Sequence, residues 1–229
     1  MGKQTLSVDI GGSGIKVMVL DEEGMPLTER DRRDTPQTPS PSVVISTVKQ
    51  LAAAKEFDRV SVGFPGVVRN GVTETAVNLT PEWINFDLAT ALADALGKPT
   101  RAINDADMQG LGAIAGIGVE LVVTLGTGFG SALFLNGQLV PNLEMGHHPF
   151  RKGETYEQQL GRAALDRIGK KRWSDRLQKA IATLQHLFNF DTLYLGGGNT
   201  KFITIGLPPA VKVVPNVSGL LGGITLWKE

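Results

Sequence analysis

The residues best suited to chemistry are two glycine-rich segments, Asp9-Ile-Gly-Gly-Ser-Gly-Ile-Lys16 and Thr124-Leu-Gly-Thr-Gly-Phe-Gly130. Because glycine lacks a Cβ, backbone N–H groups in such segments can turn towards phosphate oxygens. Either segment alone is equally consistent with a tight hairpin turn, but two in matching contexts favour a phosphate site. The candidate phosphate-binding residues are Asp9, Gly11, Gly12, Ser13, Gly14, Lys16, Gly126, Thr127 and Gly128.

An acidic segment, Asn104-Asp105-Ala-Asp107, lies between the two glycine segments. A predicted strand ends at Asn104 and a helix begins just after Asp105, so the helix dipole favours the ionised carboxylate. An ionised Asp105 is suited to accept the proton of a substrate hydroxyl. The alternative is that Asp105 or Asp107 only caps the helix. The flanking glycine segments favour catalysis for Asp105, and Asp107 is the better candidate for the cap.

A third candidate is Glu144-Met-Gly-His-His148. Glu144 and His147 can hydrogen-bond adjacent sugar hydroxyls, since a carboxylate accepts and an imidazole accepts or donates. The rival interpretation is a divalent metal held by Glu144 and the two histidines, although a zinc site requires further ligands. For His148 a structural role is the simpler interpretation.

The elements that must position these residues alternate between strand-rich hairpins and helices. The apolar patterns predict helices at 42–56 with Ser42 as N-cap, 86–96, 108–117 and 156–187, and strands at 6–10, 15–20, 60–64, 100–103, 121–125, 130–135, 138–140, 192–195 and 211–214. The second half repeats the first in outline. We expect a mixed α/β protein of two similar lobes with a central cleft: residues 1–105, to which 220–229 returns, and a larger lobe of residues 106–219.

The composition excludes several functional classes. Lys and Arg total 23 and balance 23 Asp and Glu, which gives no bulk electrostatic case for nucleic acid or membrane binding. The chain has no cysteine, so disulfides, thiol nucleophiles and cysteine-ligated zinc are excluded. No apolar run approaches the roughly 18 residues that span a bilayer. No export signal precedes the first predicted strand, which predicts a cytoplasmic protein.

The sequence resembles the ROK family of sugar kinases, which have the two-lobed actin-like ATPase (ribonuclease H-like) fold, and within it the polyphosphate glucokinase branch. The matching motifs follow the family's order through nearly the whole chain: Asp9–Lys16, Gly63-Phe-Pro-Gly66, Asn104–Asp107, Leu125-Gly-Thr-Gly128, Glu144-Met-Gly-His147 and Leu195-Gly-Gly-Gly-Asn199. Residues 147–161 stand where other ROK kinases have a cysteine-rich zinc motif. No zinc is therefore expected, and packing by Phe150 and Tyr156 is one candidate for holding His147 in place.

The resemblance implies phosphoryl transfer from polyphosphate, ATP or both to glucose, with Asp105 as the base. Magnesium would be held by Asp9 through water, and the protein would be a homodimer. The implied sugar-binding residues are Gly66, Asn78, Asn104, Asp105, Glu144, His147 and, one position away from the family's pattern, Glu157. The implied additional phosphate or nucleotide contacts are Gly197, Gly198 and Asn199.

The identity of the donor depends on a basic segment: Arg151, Lys152, Arg162, Arg167, Lys170, Lys171, Arg172, Arg176 and Lys179. It fits either a track for polyphosphate or a solvated helix face. The rival activity is an ATP-dependent kinase for mannose, fructose or an N-acetyl hexosamine. Outside enzymes, the rivals are a sugar-binding protein, which would not need both glycine segments, and a repressor, which would need a DNA-binding domain ahead of Asp9.

Overall fold

The computed structural model describes residues 2–76, 79–215 and 218–228, so the predicted sugar contact Asn78 lies outside the described residues. The strands are β1 Thr5–Ile10, β2 Ile15–Leu20, β3 Asp31–Arg33, β4 Arg59–Phe64, β5 Val68–Arg69, β6 Val72–Thr73, β7 Phe86–Asp87, β8 Thr100–Asn104, β9 Val119–Leu125, β10 Phe129–Leu135, β11 Gln138–Val140, β12 Pro149–Arg151, β13 Glu154–Thr155, β14 Thr192–Gly196 and β15 Val211–Val213. The helices are α1 Pro41–Ala52, α2 Leu88–Leu96, α3 Asp105–Leu111, α4 Tyr156–Leu160, α5 Arg162–Phe188 and α6 Ser218–Leu221.

The chain forms two compact units, Met1–Gly112 with Val217–Glu229, and Ala113–Asn216. The sequence predicts that the first lobe ends at residue 105 and that the second lobe is the larger. Helix α3 instead belongs to the first unit, because it packs on β4 and α6.

The first unit contains a five-stranded sheet in the order β3-β2-β1-β4-β8. β1 pairs antiparallel with β2 across the first glycine segment and parallel with β4 on its other side, and β4 pairs parallel with β8. The apolar side chains of β1 and β4 are fully buried, as expected for central strands covered on both faces. The carboxyl ends of β1, β4 and β8 therefore bring Ile10, Phe64 and Asn104 to one edge of the sheet.

The second unit repeats this arrangement with a sheet in the order β11-β10-β9-β14-β15. β9 pairs antiparallel with β10 across the second glycine segment and parallel with β14, which pairs parallel with β15. Asn136 and Gly137 both have positive φ, 50° and 79°, in the predicted turn between β10 and β11. The internal repeat that the sequence indicates in outline is thus present strand by strand.

Several helix limits differ from those predicted. Helix α1 begins after Ser40 with Pro41 at its first position, so Ser42 lies inside the helix and is not its N-cap. Helix α3 starts at residue 105 and ends at 111, earlier than the predicted 108–117. The predicted helix 156–187 is interrupted at Gly161, which ends α4, and at Gly169, whose φ of 76° and ψ of 162° are not helical.

Each unit has its own apolar core. In the first unit, Trp83 and the buried strands pack with α1 and α2, and in the second, Trp173 of α5 packs with β9 and β14. The C-terminal segment packs on the first sheet, where Ser7 Oγ donates to Leu220 O at 2.6 Å and Ser61 Oγ to Gly223 O at 2.6 Å. In the described part of the chain, no helix is both long enough and apolar enough to cross a bilayer.

Candidate active site

The first glycine segment is a closed turn with an ion pair at its base. Gly11 N–H donates to Gly14 O at 3.0 Å, and the register of β1 and β2 places Lys16 opposite Asp9. Lys16 Nζ lies 2.6 Å from Asp9 Oδ2. The Gly11 amide is used to close the turn, which counts against its predicted contact with phosphate. The Lys16 ammonium, which the sequence predicts to bind phosphate, is therefore paired with Asp9.

Arg32, which the sequence pattern does not indicate, lies beside the same turn. Its guanidinium donates to Ser13 O at 2.8 Å and pairs with Asp34 at 2.7 Å. Strand β3 consists of three exposed charged residues, so it has no apolar alternation from which a strand could be predicted. The register places Arg32 opposite Lys16. A second cationic side chain therefore lies beside this turn, paired with Asp34.

Asn104 fixes the start of α3 and corrects the predicted cap. Its side-chain oxygen accepts from Ala106 N–H at 2.8 Å and from Asp107 N–H at 3.0 Å, so the cap is Asn104 and not Asp107. Its Nδ2 donates to Gly66 O at 3.0 Å, which joins two predicted sugar contacts. Asp107 is fully buried, whereas Asp105 is only partly buried. Of the two carboxylates, Asp105 is the one that is partly exposed.

Asp9 fits the magnesium role that the family resemblance implies. Magnesium keeps several waters and is usually held by one or two carboxylates together with substrate phosphates. Asp9 supplies one partly exposed carboxylate at the glycine turn, as such a site requires. Within the described ranges, no three His, Cys, Asp or Glu side chains form a group able to hold a metal ion. The rival metal site at Glu144, His147 and His148 is therefore not assembled.

In the second unit the glycine turn contacts Glu157. Gly126 N–H donates to Gly128 O at 3.2 Å, and Phe129 N–H donates to Glu157 Oε2 at 3.2 Å. A Cβ at Gly128 would overlap the Glu157 carboxylate, so the close approach requires glycine at this position. Helix α4 presents Glu157 in its first turn, and a capping box between Thr155 and Gln158 fixes that turn.

Glu144 and His147 lie at the two ends of a single 3₁₀ turn, Met145–His147. His147 Nε2 is 3.4 Å from Glu144 Oε2, and His147 N–H donates to Glu144 O at 3.3 Å. Burial raises the pKa of Glu144, His147 opposes that rise, and the neighbouring negative charge of Glu157 adds to it. Glu144, His147 and Glu157 thus form one polar cluster.

Aromatic packing lies next to this cluster. Tyr156 is buried, and its ring stacks on Phe150 with centroids 4.5 Å apart and contacts Phe129 at 5.3 Å. The ring of the adjacent His148 lies 6.4 Å from Tyr156. Packing by Phe150 and Tyr156 therefore supports the segment next to His147, while Glu144 contacts the His147 ring itself.

The segment Gly197–Asn199 joins the second glycine turn because β14 runs parallel to β9 and both end at the same edge. Asn199 Nδ2 donates to Gly126 O at 2.7 Å, and Asn199 N–H donates to Leu125 O at 2.9 Å. Gly197 has a φ of 86°, and any Cβ there would overlap the backbone of Leu125. The predicted phosphate and nucleotide residues of the second unit are thus brought together.

The likeness to known proteins identifies the family. The model of the ROK family matches residues 5–161, which is well over half of the chain. The chain belongs to the ROK family. A polyphosphate glucokinase from Mycobacterium tuberculosis is 30% identical to this ROK protein over 236 residues, covering 94% of this chain and 88% of the relative.

Two solved structures share its fold. An inorganic polyphosphate/ATP-glucomannokinase from Arthrobacter sp. strain KM is 33% identical with a TM-score of 0.89, covering 98% of each chain. A ROK family glucokinase from Streptomyces griseus is 20% identical with a TM-score of 0.77, covering 97% of this chain and 98% of its own. The predicted family, the α/β actin-like ATPase fold class and the enzyme class, a sugar kinase, are confirmed.

The raised pKa of Glu144 predicts that this side chain costs the protein stability at neutral pH. A carboxyl whose pKa is raised in the folded state stabilises folding most below its ordinary value of 4.5, and that contribution is lost as the pH rises through the raised pKa. Glu144→Gln removes the ionisation. Thermal melts from pH 4 to 8 should show the variant more stable than the wild type at neutral pH, with the gap closing towards pH 4.5. A less stable variant at neutral pH would contradict the burial argument.

Proposed function

We propose that this ROK protein transfers the terminal phosphoryl group of inorganic polyphosphate or ATP to the 6-hydroxyl of glucose. The observation that carries the proposal is the polar cluster of Glu144, His147 and Glu157 beside the glycine turn at Gly128. Acceptors and donors for sugar hydroxyls thus adjoin backbone amides suited to phosphate. The polyphosphate glucokinase relative and the glucomannokinase structure support the same activity.

In the proposed mechanism Asp105 accepts the proton of the 6-hydroxyl. The sugar oxygen then bonds to the terminal phosphorus of the donor as the bond to the bridging oxygen breaks, and the shortened donor leaves. Phosphoryl transfer demands mainly positioning and neutralisation of charge. The partial exposure of Asp105 at the start of α3 and its placement by the Asn104 cap support its role as the base.

The sugar-binding residues that we propose are those that the family resemblance implies: Gly66, Asn78, Asn104, Asp105, Glu144, His147 and Glu157. For the phosphate chain we propose the amides of Gly12, Ser13 and Gly14, those of Thr127 and Gly128, and the turn Gly197–Asn199. The roles of Gly11 and Gly126 are to close the two turns through their own N–H groups.

Magnesium, held by Asp9 through water, would supply positive charge to the phosphate oxygens when bound. Lys16 and Arg32 add cationic side chains at the same turn. We further propose a cytoplasmic homodimer, on the strength of the family resemblance.

The deciding experiment incubates the protein and glucose with either polyphosphate or ATP and measures glucose 6-phosphate. We expect product with polyphosphate. Failure to form product with either donor would contradict the proposal. Mannose is the alternative acceptor to include, since the Arthrobacter relative is a glucomannokinase. Fructose and N-acetyl hexosamines complete the comparison, and a preference for one of them with ATP alone would favour the rival activity.

A further inference from the structure

The basic segment that follows the active-site residues divides into two parts at Gly169, where the backbone leaves the helical conformation. Before this break, Arg162 pairs with Asp166 at 2.9 Å and Arg167 approaches Glu154 at 3.9 Å. These two arginines already have carboxylate partners. A uniform basic track along α5 therefore does not describe this surface, and the cations beyond Gly169 are a separate group.

The second part forms a small pocket with Arg151 of β12. This pocket, which we call the Arg176 pocket, has a volume of about 210 Å³ and is lined by Arg151, Arg172, Asp175, Arg176 and Lys179. The four residues of α5 are spaced at i, i+3, i+4 and i+7 and so share one helix face. Four cationic side chains thus converge on a cavity that contains a single carboxylate. Such an excess of positive charge at close range favours an anionic ligand.

Arg176 is the residue that distinguishes this pocket from a solvated helix face. Its Nη1 atom is buried and has no hydrogen-bond partner among the described residues. Burial lowers the pKa of Arg176, and the positive charges of Arg151, Arg167 and Arg172 lower it further against the opposing effect of Glu154. A buried guanidinium donor without an acceptor is costly. An anion in the pocket would remove that cost.

The other cations of the pocket are also available to a ligand. In the part of the chain that the structure describes, neither Arg172 nor Lys179 forms an ion pair with a carboxylate, and Arg151 makes only a long contact of 3.5 Å with Gln159 Oε1. Among the described residues that line the cavity none is aromatic or apolar, so the cavity lacks the mostly apolar wall typical of a nucleoside pocket. A ligand made of linked anionic groups that carries no nucleotide base fits this lining.

We propose that the Arg176 pocket binds phosphate units of an inorganic polyphosphate chain at a distance from the end that is transferred. The proposal rests on the proposed function for its donor. Helix α5 connects the Arg176 pocket with the second glycine turn. The N–H of Arg162, the first residue of α5, donates to Thr127 O of that turn at 3.1 Å. The pocket begins ten residues later, beyond Gly169. In this proposal a long polyphosphate contacts both the transfer site and the pocket, whereas ATP, with three phosphates, contacts only the transfer site.

The test compares charge-removing variants inside and outside the pocket. Arg172→Gln and Arg176→Gln each remove one pocket cation, and the matched control, Lys171→Gln, removes one exposed cation of the same helix that does not line the cavity. Melting curves without ligand establish that each variant is folded. If Arg176→Gln does not fold, the exposed Arg172 still tests the pocket. The apparent KM is then measured for long-chain polyphosphate, tripolyphosphate, ATP and glucose.

We expect each pocket variant to raise the KM for long-chain polyphosphate by about tenfold, the loss of one charge-assisted contact. The KM values for tripolyphosphate, ATP and glucose should stay within about twofold, and Lys171→Gln should leave all four unchanged. The dependence of polyphosphate affinity on salt should become shallower by about 0.7 to 0.9 log units per log unit of salt for each charge removed. Equal effects of the pocket variants and the control, or on ATP and polyphosphate alike, would overturn the proposal.

Direct titration with polyphosphate alone separates this proposal from the proposed function. If no donor gives glucose 6-phosphate but the wild type binds long-chain polyphosphate and the pocket variants do not, the transfer activity fails and the pocket stands. If glucose is phosphorylated from polyphosphate but the pocket variants bind the chain as tightly as the wild type, the transfer activity stands and the pocket fails. A wild type that does not bind long-chain polyphosphate also refutes the pocket.

Discussion

Asp105→Asn is expected to lower kcat for glucose phosphorylation by about 10²- to 10⁴-fold, the usual contribution of a general base. The amide has nearly the shape of the carboxylate but cannot accept the proton. Ala106 N–H still finds an acceptor at residue 105, and the Asn104 cap is untouched, so α3 should start as before. Glucose affinity should therefore stay within several-fold. Steady-state kinetics and direct glucose binding measure the two quantities.

The donor provides an internal control for this result. A base acts on the sugar hydroxyl, so the loss of kcat must be the same with polyphosphate and with ATP. A loss confined to one donor would place Asp105 in donor binding instead. Asp107→Asn is the matched variant, since Asp107 lies two residues away and is fully buried. We expect it to alter the melting temperature and to leave kcat within several-fold. Near-normal turnover of Asp105→Asn would refute the role of the base.

The hairpins around the glycine turns could be predicted because their strands are short apolar runs separated by residues with no alternative to a turn. The parallel pairing of β9 with β14 was not predictable from those runs, and this pairing brings Gly197 and Asn199 to Gly126. The same holds for the ion pair of Lys16 with Asp9, which depends on the register of β1 and β2. The sequence shows which candidate site residues are present, and strand pairing determines which of them become partners.

Helix limits failed where a local feature outweighed apolar periodicity. The α3 start was misplaced because Asn104, a strand residue by pattern, supplies the capping oxygen. The two breaks in the long basic helix were not predicted, because a glycine within a helical pattern is often tolerated. Nothing in the local sequence indicates that Gly169 is nonhelical. That break is what separates the paired Arg162 and Arg167 from the Arg176 pocket. The basic composition was evident from the sequence, but its division was not.

Gly128→Ala is expected to weaken glucose binding by about 10- to 150-fold, equivalent to losing one hydrogen bond to a charged group, about 1.5–3 kcal/mol. The new Cβ would overlap the Glu157 carboxylate, which must move away from Phe129 N–H and from its place beside Glu144. Gly126→Ala is the control from the same turn, because a Cβ there meets no atom within 4 Å. Calorimetric titration with glucose in the absence of donor isolates the sugar from any effect on phosphate.

The cause of that loss can be tested with a double-mutant cycle. If Gly128→Ala acts by displacing Glu157, then Glu157→Ala should weaken glucose binding by a similar factor, and the double variant should be no weaker than either single one. Additive losses would mean that the two residues act on glucose independently. In that case the methyl group would not act by displacing Glu157. A Glu157→Ala variant that binds glucose as tightly as the wild type would refute the assignment of Glu157 to the sugar site.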